Sequence, residues 1–150
     1  MSGERFEFNG RLLHREGQQF VDGRGFFNSG YTRIHRIETA GFASMPIKGA
    51  KGLLLAPNGD PDHAFIFGGE HPGHRPDLTD GGTAIYDHNG GIVKLIAAGI
   101  VIDVAARTAT LTANGGWTIN GPVTINGDVQ VNGNITASGS VVDGDGNNGA

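Results

Sequence analysis

A six-residue repeat in the last third of the chain restricts the possible folds more than any other feature. From Asn114 onward the sequence reads NGGWTI, NGPVTI, NGDVQV, NGNITA and SGSVVD. An Asn-Gly or Ser-Gly pair opens each repeat, and glycine adopts the backbone angles of a tight turn at low steric cost. The sequence therefore predicts one turn per repeat, at Gly115, Gly121, Gly127, Gly133 and Gly139.

Apolar residues recur two positions apart between these turns. Because side chains at i and i+2 share one face of a strand, each repeat carries an apolar stripe on one side and a polar residue, such as Thr124, on the other. A three-residue strand cannot bury its own stripe, so the repeat must stack on itself or on copies of itself. The residues predicted to form the trimer core are Trp117, Ile119, Val123, Ile125, Val129, Val131, Ile135, Ala137 and Val141.

Three structures are compatible with such a repeat: a left-handed β-helix made by one chain, a prism of three chains wound around a shared axis, and a disordered Gly/Asn-rich tail. Disordered tails are poor in β-branched residues, whereas these residues stay in phase here. Two inward positions per repeat and the small number of repeats favour the prism. We therefore expect residues 98–142 to form an intertwined trimeric β-helix, that is, a β-prism needle.

The residues before the repeat are rich in turn signals. The chain contains 27 glycines among 150 residues, and its six prolines are too scattered for collagen. Runs rich in β-branched and aromatic residues alternate with turns, and no helical pattern of useful length competes with them. The predicted strands are 31–39, 52–56, 63–68, 83–88, 91–97, 99–105 and 107–113.

The number and length of these strands predict an all-β fold that begins with a small barrel. A barrel of the oligonucleotide/oligosaccharide-binding (OB) type has the right size, so we expect an OB-like antiparallel β-barrel over 31–97. Asn89-Gly90 predicts a hairpin turn. Farther along, Ile100, Ile102 and Val104 fall on alternate positions, which predicts a strand with one buried face.

The two ends of the chain are predicted to be separate segments. Residues 1–30 contain five phenylalanines without a clear strand or helix period. We expect an irregular N-terminal arm whose aromatic residues dock on a partner or cover the base of the barrel. Residues 143–150 are expected to form a tip segment.

Charge and cysteine content limit the possible functions. The net charge is −4 and no Lys or Arg follows Arg107, which argues against nucleic acid binding. The absence of cysteine excludes disulfides and thiolate metal sites, and it fits synthesis in a reducing cytoplasm. The N-terminal segment lacks the regions of an export signal, and no apolar run approaches the ~20 residues that span a bilayer.

One group of histidines has a spacing sometimes seen in metal sites. His71 and His74 are three residues apart, and His63 and His88 are the other histidines that could join them. Metal-binding histidines gain specificity from a rigid scaffold, whereas this segment is a Pro/Gly-rich loop. We therefore expect surface histidines and no metal.

No catalytic constellation stands out. Glu70 with Asp77 or Asp80 is a candidate acid/base pair for glycoside hydrolysis, but their spacing does not distinguish them from ordinary solvated carboxylates. Ser44 lacks the context of a nucleophile elbow, and there is no phosphate-binding Gly-Lys-Ser/Thr pattern. We therefore predict no enzymatic activity and no cofactor.

Two long segments point to a known family. IHRIETAGFASMPIKGAKGLLL and HRPDLTDGGTAIYDHNGGIVKL lie between about Tyr31 and Leu95. Their most specific pieces are residues 41–46 with Gly49-Ala50, and residues 75–87. Together with the repetitive β tail, these segments resemble the central spike family of Mu-like contractile phages, also called the baseplate assembly protein V group.

The resemblance implies a structural protein of the virion. Its members are homotrimers of the tail baseplate, made in the host cytoplasm, and their barrels contact the baseplate hub and the tail tube. Residues 1–30 would take part in these contacts. The β-helix would point at the host envelope and pass through the outer membrane when the sheath contracts, without binding nucleic acid.

The chain departs from the family pattern at its end. Many relatives carry a His-x-His motif that binds iron at the apex, but no histidine follows His88, so that site is not carried over. Instead, Asp143, Asp145 and Asn147 match the first alternating ligands of a calcium loop, without its later glutamate. Three copies could form an oxygen-lined cation site; the alternatives are a frayed end and a separate apex protein that caps it.

Two other classes of protein share parts of this pattern. A hexapeptide-repeat acyltransferase is also trimeric, but it needs more coils and a catalytic histidine within or beside them, and the repeat has none. A receptor-binding tail fibre would carry an aromatic-rich globular head after the needle, whereas this sequence ends with the needle.

Overall fold

The computed structural model describes residues 2–142 and Gly144, and these residues form an all-β protein. Among them there is no α-helix, and hence no helix that could cross a membrane. Short 3₁₀ turns occupy Phe26–Asn28, Pro57–Gly59 and Pro61–His63. The strands are β1 (Ser2–Arg15), β2 (Gln18–Arg24), β3 (Gly30–Arg36), β4 (Lys51–Ala56), β5 (Phe65–Glu70), β6 (Thr83–Tyr86), β7 (Ile92–Ile96) and β8 (Gly99–Asp103).

The first five strands close into a barrel. Their order is β1-β2-β3-β5-β4, and β1 completes the circle by pairing with β4 as well as β2. All neighbouring pairs are antiparallel except β3 and β5, which are parallel. The predicted small β-barrel is confirmed, with five strands, but it extends from residue 2 to residue 70 and not over 31–97, and one of its pairs is parallel, whereas an antiparallel barrel was predicted.

The barrel interior is a small aromatic and aliphatic core. Phe6 and Phe8 alternate on β1, are almost completely buried, and meet edge to face with ring centroids 5.1 Å apart. Burial of each such side chain contributes roughly 1.5–3 kcal/mol. The core consists of Phe6, Phe8, Val21, Ile34, Ala50, Leu54, Ala56, Ala64 and Ile66.

The predicted irregular arm at residues 1–30 is wrong. This segment supplies β1 and β2, and β1 closes the barrel by pairing with β2 and with β4. β1 accommodates both partners through a shift of register between Phe8 and Leu12, where Gly10 has a φ of 89°.

A second sheet follows the barrel. β7 lies in its centre and pairs antiparallel with β6 and β8. The predicted turn at Asn89-Gly90 lies between β6 and β7, and Gly90 has a φ of 88°. Residues 83–97 were predicted to belong to the barrel and residues from 98 onward to the needle, whereas the structure joins both in this one sheet.

The chain divides into two compact units between Ala109 and Thr110. In the second unit, the residues that the structure describes contain no strand, so the strand predicted at 107–113 does not form. The backbone has a turn or bend at every repeat glycine, and φ is positive at Gly121 and Gly127. Because the structure contains a single chain, the needle of three chains stays a prediction.

Candidate assembly surfaces

The repeat presents its apolar residues to solvent in the single chain. Trp117 and the aliphatic residues of the predicted trimer core, other than the small Ala137, are exposed to between 46% and 73%, and Ala137 is also exposed. No atom outside the neighbouring residues lies within 4 Å of a β-carbon built at Gly121, Gly127 or Gly133. The chain therefore does not enclose its own stripe, and burial would require other copies or another protein.

The sheet of β6, β7 and β8 carries a second exposed apolar surface. Directly opposed residues in a ladder point to the same face, and the register opposes Ile85 to Val93, Val93 to Ile102, and Leu95 to Ile100. We call these five residues the outer face. Their exposures range from 37% to 70%.

The opposite face of this sheet is more covered on β6 and β7. Its residues there are Ala84, Tyr86, Ile92, Lys94 and Ile96, and all are only partly exposed. Three of these five are aliphatic, so the sheet carries apolar residues on both of its faces. The alternation of Ile100 and Ile102 correctly predicted a strand, but the face predicted to be buried is exposed in the single chain.

A third apolar feature lies between β2 and β3. Phe26 is 59% exposed and Phe27 is 97% exposed, and Phe27 has a φ of 51°, in the left-handed region that bulky residues rarely adopt. The Glu4 carboxylate accepts the Phe26 N–H at 2.9 Å, and Arg24 Nη1 donates to the Asn28 carbonyl at 3.2 Å. The two rings are therefore held outward by fixed local contacts.

The loop that carries residues 41–46 is anchored by a buried arginine. The Arg36 guanidinium donates to Gln19 Oε1, Glu38 Oε1, the Gly68 carbonyl, and both the carbonyl and the hydroxyl of Ser44. The Ser44 N–H in turn donates to Glu38 Oε1 at 2.7 Å. The Ser44 hydroxyl accepts from Arg36 Nη2 at 2.8 Å and donates to Glu38 Oε1 at 3.2 Å, so Ser44 is tied to this network through its backbone and its side chain.

Three of the four candidate histidines come together. The ring centroids of His71 and His74 are 4.7 Å apart, and those of His74 and His88 are 5.1 Å apart. His71 Nδ1 accepts the Gly73 N–H at 3.1 Å, and His88 Nδ1 is buried without a hydrogen-bond partner. Even so, no three His, Asp or Glu side chains in the described part of the chain are placed to hold a metal ion.

The remaining candidates lie apart from this cluster or pair locally. His63 Nδ1 lies 2.8 Å from Asp60 Oδ2, a contact that lowers the pKa of Asp60 and raises the pKa of His63. Arg75 Nη1 donates to Glu70 Oε2 at 3.4 Å. The tip candidates lie outside the described residues; they are Asp143, Asp145 and Asn147.

One exposed carboxylate organises the start of the second sheet's hairpin. Asp87 Oδ1 accepts the N–H groups of Asn89 and Gly91, each at 2.8 Å, and Asp87 Oδ2 accepts Arg107 Nη1 at 2.7 Å. The hydrogen bond from Arg107 and the two backbone N–H groups lower the pKa of Asp87 to about 2. The turn between β6 and β7 is therefore tied to the residues after β8.

Sequence reasoning missed the outer face and the exposed pair Phe26 and Phe27 as distinct surfaces. The alternation on β8 was visible, but nothing in it indicated that the barrel would close without β6 to β8. The pair at Phe26 and Phe27 was grouped with Phe6 and Phe8, since spacing alone did not separate core from surface aromatics. Direct repetition of a bulky aromatic before Asn-Ser-Gly was the available signal for an exposed turn.

A closed barrel followed by a repeat whose apolar stripe is exposed in one chain has the organisation of a structural protein that assembles. Residues 14–73 match the family described as Bacteriophage Mu Gp45, N-terminal. The match runs from the end of β1 into the loop after β5, which is less than half of the chain. No curated protein matches the chain. The family match and the β-rich fold support a structural protein of a Mu-like phage tail or baseplate.

Proposed function

We propose that the chain is the central spike of a contractile phage tail. Three copies would form a needle from the repeat, and contraction of the sheath would drive this needle through the host outer envelope. The observation that carries the proposal is the in-phase series of aliphatic residues that one chain leaves exposed. The similarity of residues 14–73 to Bacteriophage Mu Gp45 supports it independently.

The needle would work mechanically and without catalysis. Burial of each Val or Ile side chain on a shared axis contributes roughly 1.5–3 kcal/mol, and three chains multiply this contribution at every repeat. Adjacent repeats add cooperativity, because each repeat stacks on the next. A rod built in this way resists bending and compression, which is what penetration requires.

The barrel would attach the needle to the baseplate. Phe26 and Phe27 are the proposed contact, since aromatic side chains that are exposed and held rigidly are typical anchors of protein interfaces. The partners would be the hub and the tail tube, and a separate protein or a cation bound by residues 143–147 would complete the apex.

The trimer is tested by paired substitutions in the repeat. Val129→Asp with Val131→Asp places two charges on the predicted inward side, whereas Thr124→Asp places one on the predicted outward side. We expect the wild-type chain and Thr124→Asp to have the mass of a trimer that resists detergent without boiling. The double variant should be monomeric by light scattering. Equal behaviour of the two variants would contradict the inward and outward assignment.

A further inference from the structure

Asn-Gly pairs occur in two different settings in this chain. Three of them form corners of the repeat: Asn120-Gly121, Asn126-Gly127 and Asn132-Gly133. Two others lie in the folded part before the repeat, Asn9-Gly10 in β1 and Asn89-Gly90 in the turn between β6 and β7. All five asparagines are exposed, so access to water does not distinguish the two groups.

An asparagine that precedes glycine can react with its own backbone. The glycine nitrogen attacks the side-chain carbonyl carbon, the new carbon–nitrogen bond closes a five-membered succinimide, and the amide group leaves as ammonia with the proton of the glycine N–H. One water then opens the ring to aspartate or isoaspartate, so no other reactant is required. Because the reacting atoms belong to adjacent residues, the rate depends on how freely the backbone reaches the reactive geometry, and glycine has no side chain to obstruct it.

The three repeat corners leave the backbone free to reach this geometry. In the part of the chain that the structure describes, residues 120–133 belong to no strand and make no backbone hydrogen bond. Apart from the neighbouring residues, no atom lies within 4 Å of a β-carbon built at Gly121, Gly127 or Gly133. The single chain therefore does not hold these asparagines away from the geometry of ring closure.

The two pairs in the folded part are held by their surroundings. The strand β1 is paired both before and after Asn9, and Asn9 Oδ1 accepts the Arg11 N–H at 2.8 Å. In the β6–β7 turn, Asp87 Oδ1 accepts the N–H groups of Asn89 and Gly91, each at 2.8 Å. Ring closure at either pair requires these contacts to open first, so its rate is reduced to the fraction of molecules that are open.

We propose that Asn120, Asn126 and Asn132 are sites of spontaneous deamidation and isoaspartate formation in the unassembled chain. Each event adds a negative charge, and isoaspartate also adds a methylene group to the backbone at the corner. No Lys or Arg follows Arg107 to neutralise these charges. A second part of the inference, that assembly suppresses the reaction, rests on the proposed function, because three chains wound together would fix the corners. Chains that wait for partners would then accumulate charge at the turns of the needle.

The test uses a full-length chain that is monomeric. The double variant Val129→Asp with Val131→Asp supplies it, and Val123→Asp is added if the double variant still associates. After incubation at neutral pH, aspartate and isoaspartate at each Asn-Gly pair are measured by peptide mass spectrometry. We expect the three corners to react at least about tenfold faster than Asn9 and Asn89. Equal rates at the corners and at the held pairs would overturn the inference.

Two controls show whether the fold and the proposed chemistry cause the difference. In concentrated urea all five pairs should react at similar rates, since the contacts that hold Asn9 and Asn89 are lost. Gly133→Ala places a methyl group beside the attacking nitrogen, so the reaction at Asn132 should slow while the other two corners keep their rates. A difference that persists in urea, or an unchanged rate at Asn132, would also overturn the inference.

The same measurement on the wild-type chain separates the inference from the proposed function. A trimer whose corners react more slowly than those of the monomeric variant supports both. A monomeric wild-type chain with reactive corners contradicts the spike proposal and supports the deamidation sites. A trimer whose corners react as fast as those of the monomer overturns the suppression by assembly, while the spike proposal survives.

Discussion

The barrel and the repeat bury apolar residues by different means. The 14 residues of β1 pair with β4 over residues 2–7 and with β2 over residues 7–15, and the closed barrel surrounds Phe6 and Phe8 within one chain. The repeat has only four residues between successive turn pairs, and its aliphatic residues remain exposed to roughly half or more of their surface. The short segments of the repeat therefore do not close a core in the single chain, whereas the long strands of the barrel do.

The second sheet is intermediate between these two regions. Its backbone pairing is complete for β7, as in the barrel, but its outer face is exposed, as in the repeat. The same chain thus contains a core closed within the chain, a paired sheet with one open face, and a repeat with no strand in the described single chain. The exposure of the apolar residues therefore increases from the barrel core to the second sheet and the repeat.

The largest expected effect comes from comparing the loss of a buried aromatic residue in the barrel core with the loss of an exposed one. Phe8→Ala removes a buried ring from the barrel and should lower the free energy of unfolding by about 3–5 kcal/mol, because a cavity replaces the ring. Phe27→Ala removes a ring that is 97% exposed and should change that free energy by less than about 0.5 kcal/mol. Urea unfolding followed by the barrel's circular dichroism measures both. Similar losses of unfolding free energy in the two variants would contradict the distinction between core and surface aromatic residues.

An intermediate effect compares glycines of the two regions. A β-carbon at Gly23 would lie 2.2 Å from the Glu7 carbonyl oxygen and 2.3 Å from the Phe6 ring, so Gly23→Ala should destabilise the barrel by about 1–3 kcal/mol. A β-carbon at Gly133 meets no atom within 4 Å, so Gly133→Ala should leave barrel stability unchanged. Thermal unfolding compares the two variants, and a stable Gly23→Ala protein would show that β1 and β2 are less closely packed.

The smallest effect concerns the hairpin of the second sheet. Because the folded pKa of Asp87, about 2, is below its usual value of 3.8, the ionised carboxylate favours the folded form. This contribution is complete above the usual value and is lost as pH falls toward 2. Protection of the Gly91 amide, that is, its NMR exchange rate relative to that of an unstructured peptide at the same pH, should fall between pH 5 and pH 2. Asp87→Asn should show weaker protection already at pH 5, and pH-independent protection in the wild type would contradict the assignment.

Prediction from sequence succeeded best where strand patterns were regular. The run 52–56 became Lys51–Ala56, and 91–97 became Ile92–Ile96, since a short apolar run between turn signals is a local property of the sequence. β2 was missed because its buried positions include Gln19 and Gly23 beside Val21, so no apolar alternation marks it. The alternation of Phe6 and Phe8 was present, but Gly10 and charged neighbours interrupted it.

For the candidate site too, sequence patterns predicted the local features and missed the long-range contacts. The repeat stripe and its turns were read from spacing, whereas the meeting of His71, His74 and His88 depends on a loop after β5 approaching the β6–β7 turn. Such long-range contacts depend on closure of the barrel, which no local pattern encodes. The segment 41–46 was recognised as specific, but its anchor in the buried guanidinium of Arg36 required the fold.

The sequence by itself determined the all-β class, most strand positions after residue 50 and the periodic apolar stripe, because turn residues and side-chain alternation act over a few neighbours. Tertiary structure decided which strands close the barrel, which aromatic residues form its core and which sheet face remains exposed. Those outcomes depend on pairing between distant segments: β1 closes the barrel only by reaching both β2 and β4, and its closure leaves β6 to β8 as a separate sheet.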